Sequence, residues 1–327
     1  MSLMAIGTER ATWFAETFEA LTANMERAVL GKRQVIRLTL ACLISEGHLL
    51  LEDFPGTGKT MLARTLAGTL EGSHARIQFT PDLLPSDVTG VTVYEQQKGT
   101  FTFHPGPIFH EIVLADEINR ASPKTQSALL EVMEEGHVTV DGITHDVPKP
   151  FMVIATQNPI EQAGTYPLPE AQLDRFLLRI DVGYPTEDEE MMMVGATTHA
   201  GLRDADPAMD LDTLLRLQQL VRDIRISDAM LRYATRLVRA TRPADSPVDA
   251  IRKHIGWGAG PRAGQALVLA AKARALMQGR LAVTRDDIGA ILLPVLAHRV
   301  LRNFEAEADG IAIADILSAL RAGVQPG

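Results

Sequence analysis

The stretch His48–Thr60 reads HLLLEDFPGTGKT. An apolar run ends at Glu52-Asp53, turns through glycines and restarts as a helix at Lys59-Thr60. Strand, Gly-rich turn and helix in that order make a phosphate-binding loop. Its N–H groups and the helix N-terminus surround the β- and γ-phosphates of a nucleotide. Lys59 brings a point charge to those phosphates, and Thr60 a hydroxyl ligand for Mg²⁺. The general pattern GxxxxGK[ST] wants glycine at position 53, where this chain has Asp53. Gly56 and Gly58 keep the tight turn feasible. The candidate nucleotide-contacting residues of this segment are Pro55, Gly56, Thr57, Gly58, Lys59, Thr60 and Met61.

Downstream, Glu111–Glu117 reads EIVLADE, an apolar strand that ends in two carboxylates. Adjacent strand residues point to opposite faces. Asp116 therefore reaches the Mg²⁺ shell while Glu117 faces another spot, where it activates the attacking water as general base. Phe151–Pro159, FMVIATQNP, is a further buried strand; it delivers Asn158 to the γ-phosphate or the water. Arg175, where a short helix meets a strand, and Arg262, at the start of a helix, carry fixed charges. Such charges suit a spread phosphoryl transition state.

The five apolar runs up to residue 185 are continuous, as in strands buried on both faces, and they alternate with helical stretches. This reads as a mainly parallel sheet covered by helices. Two hairpins interrupt it, at Gly90–His104 and at His137–Val147, the second turning at Asp141-Gly142. After Pro185 the strand signal ends. A capping box, Thr186 with Glu189, opens a helix through Thr198. Helical periods follow at 210–224, 227–241, 261–278, 284–301 and 311–322, with Ser227 and Thr284 as N-caps. The expected division is an α/β nucleotide-binding domain over 1–185 and a small all-helical lid domain over 186–327. Trp13 lies near a start of the chain that reads as flexible. Met191–Met193 read as core filling.

Net charge is −9, from 32 Lys/Arg and 41 Asp/Glu. An acidic chain is a poor general binder of nucleic acid. One cysteine, Cys42, excludes a disulfide framework and CxxC metal sites. No apolar run is long enough to span a membrane, and no signal peptide is legible, so a cytoplasmic address is expected.

Taken together, LLLEDFPGTGKT, RIQFTPDLLPSDVTG, the block from PIFHEIVLADE to HVTVDG, FMVIATQNPIEQAGTYPLPEAQLDRF and GPRAGQAL resemble the MoxR family of AAA+ ATPases over about residues 20–305. Asp53 fits that family's loop, which has ED before PGxGKT. Gly260 departs from it, since serine is expected before Pro261-Arg262. The resemblance implies an AAA+ fold and Mg²⁺-dependent ATP hydrolysis coupled to remodelling or maturation of a protein client, including metal insertion. It also implies a hexameric ring and a von Willebrand factor A-domain partner. Asn158 would be the first sensor, Arg262 the lid sensor of its own subunit, and Arg175 the arginine finger for a neighbour. Gly31, in Leu30-Gly31-Lys32, sits where related ATPases hold adenine. The two hairpins would face the pore or the substrate. A nucleic-acid motor is the alternative, opposed by the acidic charge. A non-hydrolysing scaffold is opposed by Glu117, Asn158 and Arg175.

Overall fold

The computed structural model describes residues 3–53, 58–158, 164–183, 186–198 and 205–325, without the side chains of 3–6, 53 and 196–198. The first helices are α1 (Leu3–Glu26), α2 (Arg33–Ile44), α3 (Lys59–Thr69), α4 (Pro85–Thr89), α5 (Pro123–Glu135), α6 (Glu170–Leu173) and α7 (Glu187–Thr198). Among them lie the strands β1 (Leu49–Asp53), β2 (His74–Gln78), β3 (Gly90–Glu95), β4 (Thr100–Pro105), β5 (Ile112–Asp116), β6 (His137–Val140), β7 (Ile143–Asp146), β8 (Met152–Gln157) and β9 (Leu178–Val182).

One five-stranded sheet has the order β2-β5-β8-β1-β9. The pairs β2–β5, β5–β8 and β8–β1 are parallel. Ile112–Asp116 and Met152–Thr156 are buried at every position, which is why these strands read as unbroken apolar runs. β2 lies at an edge and buries only Ile77. Because the strands run parallel in adjacent positions, β1, β5 and β8 bring their carboxyl ends to one rim of the sheet. Both hairpins form, β3 with β4 and β6 with β7, and the second turns at Asp141 and Gly142 with positive φ.

The remaining elements are α8 (Leu211–Asp223), α9 (Asp228–Ala240), α10 (Asp249–His254), β10 (Ile255–Trp257), α11 (Pro261–Met277), α12 (Arg285–Ala290), α13 (Leu292–Leu296), β11 (Leu301–Arg302), α14 (Phe304–Ala308) and α15 (Ile313–Gly323). The caps read from sequence form. Ser227 accepts from the Met230 N–H at 3.3 Å, and Thr186 and Glu189 bond each other's backbone N–H.

Four expectations change. The start of the chain is a helix: Phe14, Phe18, Leu21 and Met25 are buried along α1. The helix expected over 284–301 breaks at Ile291, because Pro294 lacks the N–H that would bond the carbonyl of residue 290. The all-helical part carries a two-stranded antiparallel ribbon, β10 with β11. Met191 and Met192 lie on the exposed side of α7 rather than in a core.

The chain forms two compact units whose bounds differ from a single cut at residue 185. A nucleotide unit comprises 20–175 and 180–215, and a lid unit comprises 1–19, 176–179 and 216–327. Residues 206–209 stay with the nucleotide unit through bonds to the α1 and α3 ends. Asn24 Nδ2 donates to the Asp206 carbonyl at 2.7 Å, and the Met209 N–H to the Thr69 carbonyl at 3.1 Å.

Candidate active site

The site is built on the rim where β1, β5 and β8 end. Pro55, Gly56 and Thr57 lie outside the described residues. Past them, Gly58 is the N-cap of α3 with φ +92°, a left-handed conformation that glycine adopts without strain. Lys59, Thr60 and Met61 form the first turn of α3, with Thr60 exposed and Lys59 and Met61 half-buried. Their N–H groups belong to a helix N-terminus, where an anion is stabilised. Gly31 also has a positive φ, +69°, and a Cβ there would lie 2.8 Å from Glu189 Cγ of α7. Val29, Lys32, Val35, Leu51, Lys59 and Val182 line one small cleft, so the segment around Gly31 adjoins the start of α3.

Asp116 ends β5, and Glu117 follows it in a left-handed conformation that leaves the strand, so its direction is set by that turn rather than by the pleat. Asp116 is 7% exposed, and its two oxygens are both engaged. Oδ1 accepts from the Thr156 hydroxyl at 2.7 Å, and Oδ2 from Arg76 Nη2 at 2.6 Å and Nε at 3.2 Å. Glu117 has φ +56°, an uncommon conformation for a non-glycine residue. Its N–H donates to Thr156 Oγ1 at 2.9 Å, while its Oε2 accepts from Gln78 Nε2 at 2.7 Å and Arg120 Nη1 at 3.1 Å. Gln78 Oε1 in turn accepts from Arg76 at 2.8 Å. One network therefore joins both acids through the edge strand β2. Arg76, Gln78, Arg120 and Thr156 were not among the sequence-derived candidates.

Asn158, buried, follows β8 directly. Arg175 is partly exposed and forms an ion pair with Glu134 of α5 at 2.8 Å. Arg262 belongs to the lid unit and is exposed in the first turn of α11. The rim thus gathers Gly58–Met61, Asp116, Glu117 and Asn158 on neighbouring strand ends.

The donor set suits Mg²⁺. Asp116, a buried carboxylate, and Thr60, an exposed hydroxyl, are the hard oxygen donors that such an ion would take, with phosphate and water as its other ligands. That is too few protein ligands for a zinc or calcium cage.

A parallel sheet with a Gly-Lys-Thr helix start, paired acids and a helical lid defines a P-loop ATPase of the AAA+ class. The family described as "ATPase family associated with various cellular activities (AAA)" matches residues 48–178, and the AAA lid domain matches residues 249–320. The chain is 46% identical to YeaC of Bacillus subtilis, an uncharacterized protein, over 92% of this chain and 93% of that one. It is 41% identical to Chaperone MoxR1 of Mycobacterium tuberculosis, over 94% and 81% of the two chains. A crystal structure from Cytophaga hutchinsonii, of a candidate ATPase, superposes with a TM-score of 0.92 at 37% identity, covering 99% of both chains. The chain belongs to the MoxR family of AAA+ ATPases.

Proposed function

We propose that this chain hydrolyses ATP to ADP and phosphate and that it does so in a homo-oligomeric ring, a hexamer, to remodel or mature a protein client. The observation that carries this reading is the common rim of β1, β5 and β8, with Lys59-Thr60, Asp116-Glu117 and Asn158 at adjacent strand ends. Lys59 offsets the charge of the β- and γ-phosphates. Thr60 and Asp116 would hold Mg²⁺, which would supply positive charge to the phosphate oxygens. Glu117 takes the proton of the attacking water at its carboxylate. Asn158 orients the γ-phosphate or that water. Arg175 leaves Glu134 to serve a neighbour's nucleotide, and Arg262 reports on the nucleotide of its own subunit. Gly58 and Met61 of the loop and helix, with Pro55, Gly56 and Thr57, surround the phosphates, and Gly31 adjoins the adenine. In this division of labour residues 1–185 bind nucleotide and 186–327 act as the lid.

The hairpins supply the client-facing surface. Phe101 is 75% exposed, with Tyr94 across from it at 5.1 Å between ring centroids, and Ile143 is exposed on the second hairpin. Phe103 stacks on His145 at 4.0 Å and ties the hairpins together. A von Willebrand factor A-domain protein as partner, metal insertion as one maturation task and a cytoplasmic address are parts of the same proposal. Among the described residues no helix is long and apolar enough to cross a membrane.

Two variants test the chemistry. Lys59→Ala should weaken ATP binding itself. Glu117→Gln should keep binding, measured by calorimetry, while phosphate release falls by at least ~10²-fold. Near-normal turnover in Glu117→Gln would overturn the assignment.

A further inference from the structure

Arg175 is joined by a peptide bond to Phe176, and the segment Phe176–Arg179 belongs to the lid unit. The carbonyls of Phe176 and Leu177 precede β9. Both are taken by side chains from just beyond α13. Arg299 Nη2 donates to the Phe176 carbonyl at 2.6 Å, and Arg299 Nη1 to the Leu177 carbonyl at 3.1 Å. His298 Nε2 bonds the same Phe176 oxygen at 3.0 Å, which fills both of its lone pairs. Arg299 Nη1 also donates to the Val295 carbonyl at 2.6 Å, so the guanidinium bridges α13 and the lead-in to β9.

This is an expensive arrangement. Arg299, His298, Phe176 and Leu177 are all buried. Taking a guanidinium out of water carries a desolvation penalty that carbonyl hydrogen bonds repay only with good geometry. An apolar side chain would fill the space at lower cost. The fork of fixed donors does what no apolar group does: it pins two consecutive carbonyls. The next residue toward the N-terminus presents the opposite character. The Arg175 side chain is partly exposed and paired to the likewise half-exposed Glu134. Its root is locked and its tip exchangeable, which is what a charge delivered to a neighbour's phosphate needs. Misplacement of such a group by about 1 Å costs about 10²-fold in rate.

We infer that Arg299, with His298, is a positioning residue for the arginine finger: it clamps the backbone just after Arg175 to the lid unit and fixes where the finger starts. The inference rests on the reading of Arg175 as a finger acting across an interface.

The test separates a subunit as acceptor of a finger from the same subunit as donor. Lys59→Ala subunits have an empty site but a sound finger, and Arg175→Ala subunits the reverse. Mixed rings of these two should recover activity. If they do not, the finger reading has failed, and the clamp with it. Given recovery, Arg299→Gln alone should lower kcat at least ~10-fold with KM for ATP held within ~2-fold, and Arg299→Lys should restore part of the loss. Mixed with Lys59→Ala, Arg299→Gln should recover activity, because its sites are served by sound fingers. Mixed with Arg175→Ala it should not, because neither subunit then presents a finger. The opposite pattern, recovery with Arg175→Ala only, would place the effect on Arg299's own site and overturn the inference. Unchanged kcat would do the same. If Arg299→Gln fails to assemble, His298→Phe keeps the guanidinium and removes one donor. It should give the same pairing pattern with a smaller fall in kcat, about threefold, and activity unaffected in either mixture would reject the clamp.

Discussion

Two clusters of carboxylate and arginine, one at the nucleotide rim and one in the lid unit, use the same chemistry to opposite ends. In the lid unit Asp287 is 1% exposed. Arg280 bonds both of its oxygens, at 2.6 and 2.9 Å, and Thr284 bonds Oδ2 through its N–H and its hydroxyl, at 2.8 and 2.7 Å. Arg280 and Thr284 lie within one short stretch of chain, Thr284 capping α12, and Arg274 of α11 adds an ion pair at 3.6 Å. At the rim, Asp116 and Glu117 draw partners from three separate segments, and the Arg76 side chain is 50% exposed. The lid carboxylate is saturated by local bonds that no ligand displaces. At the rim buried Thr156 holds one oxygen of Asp116, while the other faces the half-exposed Arg76 side chain, so the arginine side is where a cation or a water can enter. Carboxylate and arginine in contact therefore do not mark a site; partners that can be exchanged do.

The difference predicts a crossed pattern of damage. Asp287→Ala should cost about 3 kcal/mol of stability, the lower end for a broken buried pair, because Arg280 is partly re-solvated. ATP affinity should be unaffected. Asp116→Ala should cost only about 1 kcal/mol, since Arg76 returns to water, yet abolish Mg²⁺-dependent turnover. Urea unfolding and phosphate release, measured on both variants, would break the comparison if the two losses fell together.

The contrast also explains what was legible beforehand. Asp116, Glu117 and Asn158 announce themselves because each follows an apolar run at a strand end, and Lys59 and Thr60 because they follow a Gly-rich turn after one. Arg76 and Gln78 do not. Their role depends on β2 being the neighbour of β5, with Gln78 in register with Asp116, and strand order is a long-range property that no local pattern carries. Thr156 is invisible for the same reason. α1 does carry a local signal, since Phe14, Phe18, Leu21 and Met25 recur at helical spacing. The lid ribbon has too few residues to show a period of two.

pH separates the locked carboxylate from a second kind of buried group. Burial tends to raise the Asp287 pKa, but the bonds from Arg280 and Thr284 outweigh it and hold the group below its usual value. Its contribution is complete above the unfolded value of about 3.9 and is lost only as pH falls through the folded one. His48 is buried between Met133 and Val153, its Nδ1 accepting from the Val153 N–H at 3.0 Å and its Nε2 bonding the Met133 carbonyl at 3.1 Å. Burial drives its pKa down to about 4, against a smaller opposing effect of the Met133 bond. Stability from a neutral buried histidine is present above the unfolded value of about 6.5 and falls as pH drops toward the folded one. Between pH 7.5 and 5 the loss should be about 2 kcal/mol from His48, with none from Asp287. Urea midpoints at pH 7.5 and 5.0 check this, and His48→Gln should reduce the slope, leaving the part due to His298, which burial also pushes well below its usual value. An unchanged slope in that variant would clear His48 of the effect.

The smallest effect concerns how the two lid helices begin. α12 starts at Thr284, whose hydroxyl accepts from the Asp287 N–H at 3.3 Å in a reciprocal capping box. α11 starts at Gly260, which offers no side-chain cap, two residues before Arg262. Gly260 has φ −84° and ψ 179°, an extended conformation that serine adopts freely. A Cβ there meets nothing within 4 Å, so a side chain enters without a clash. Pro261 already fills N1, where its missing N–H costs nothing, and the Ala263 N–H bonds the Gly260 carbonyl at 3.2 Å. Gly260→Ser should add a side-chain oxygen at the N-cap and reduce the freedom of the unfolded chain, raising stability by about a few tenths of a kcal/mol. A rise in the urea midpoint with unchanged turnover would mean that the uncapped start is mere slack in the lid. A rise in stability with a fall in kcat would mean that the loose first turn is needed for Arg262 to move, and it would set α11 beside the rim acids among the parts held by exchangeable bonds.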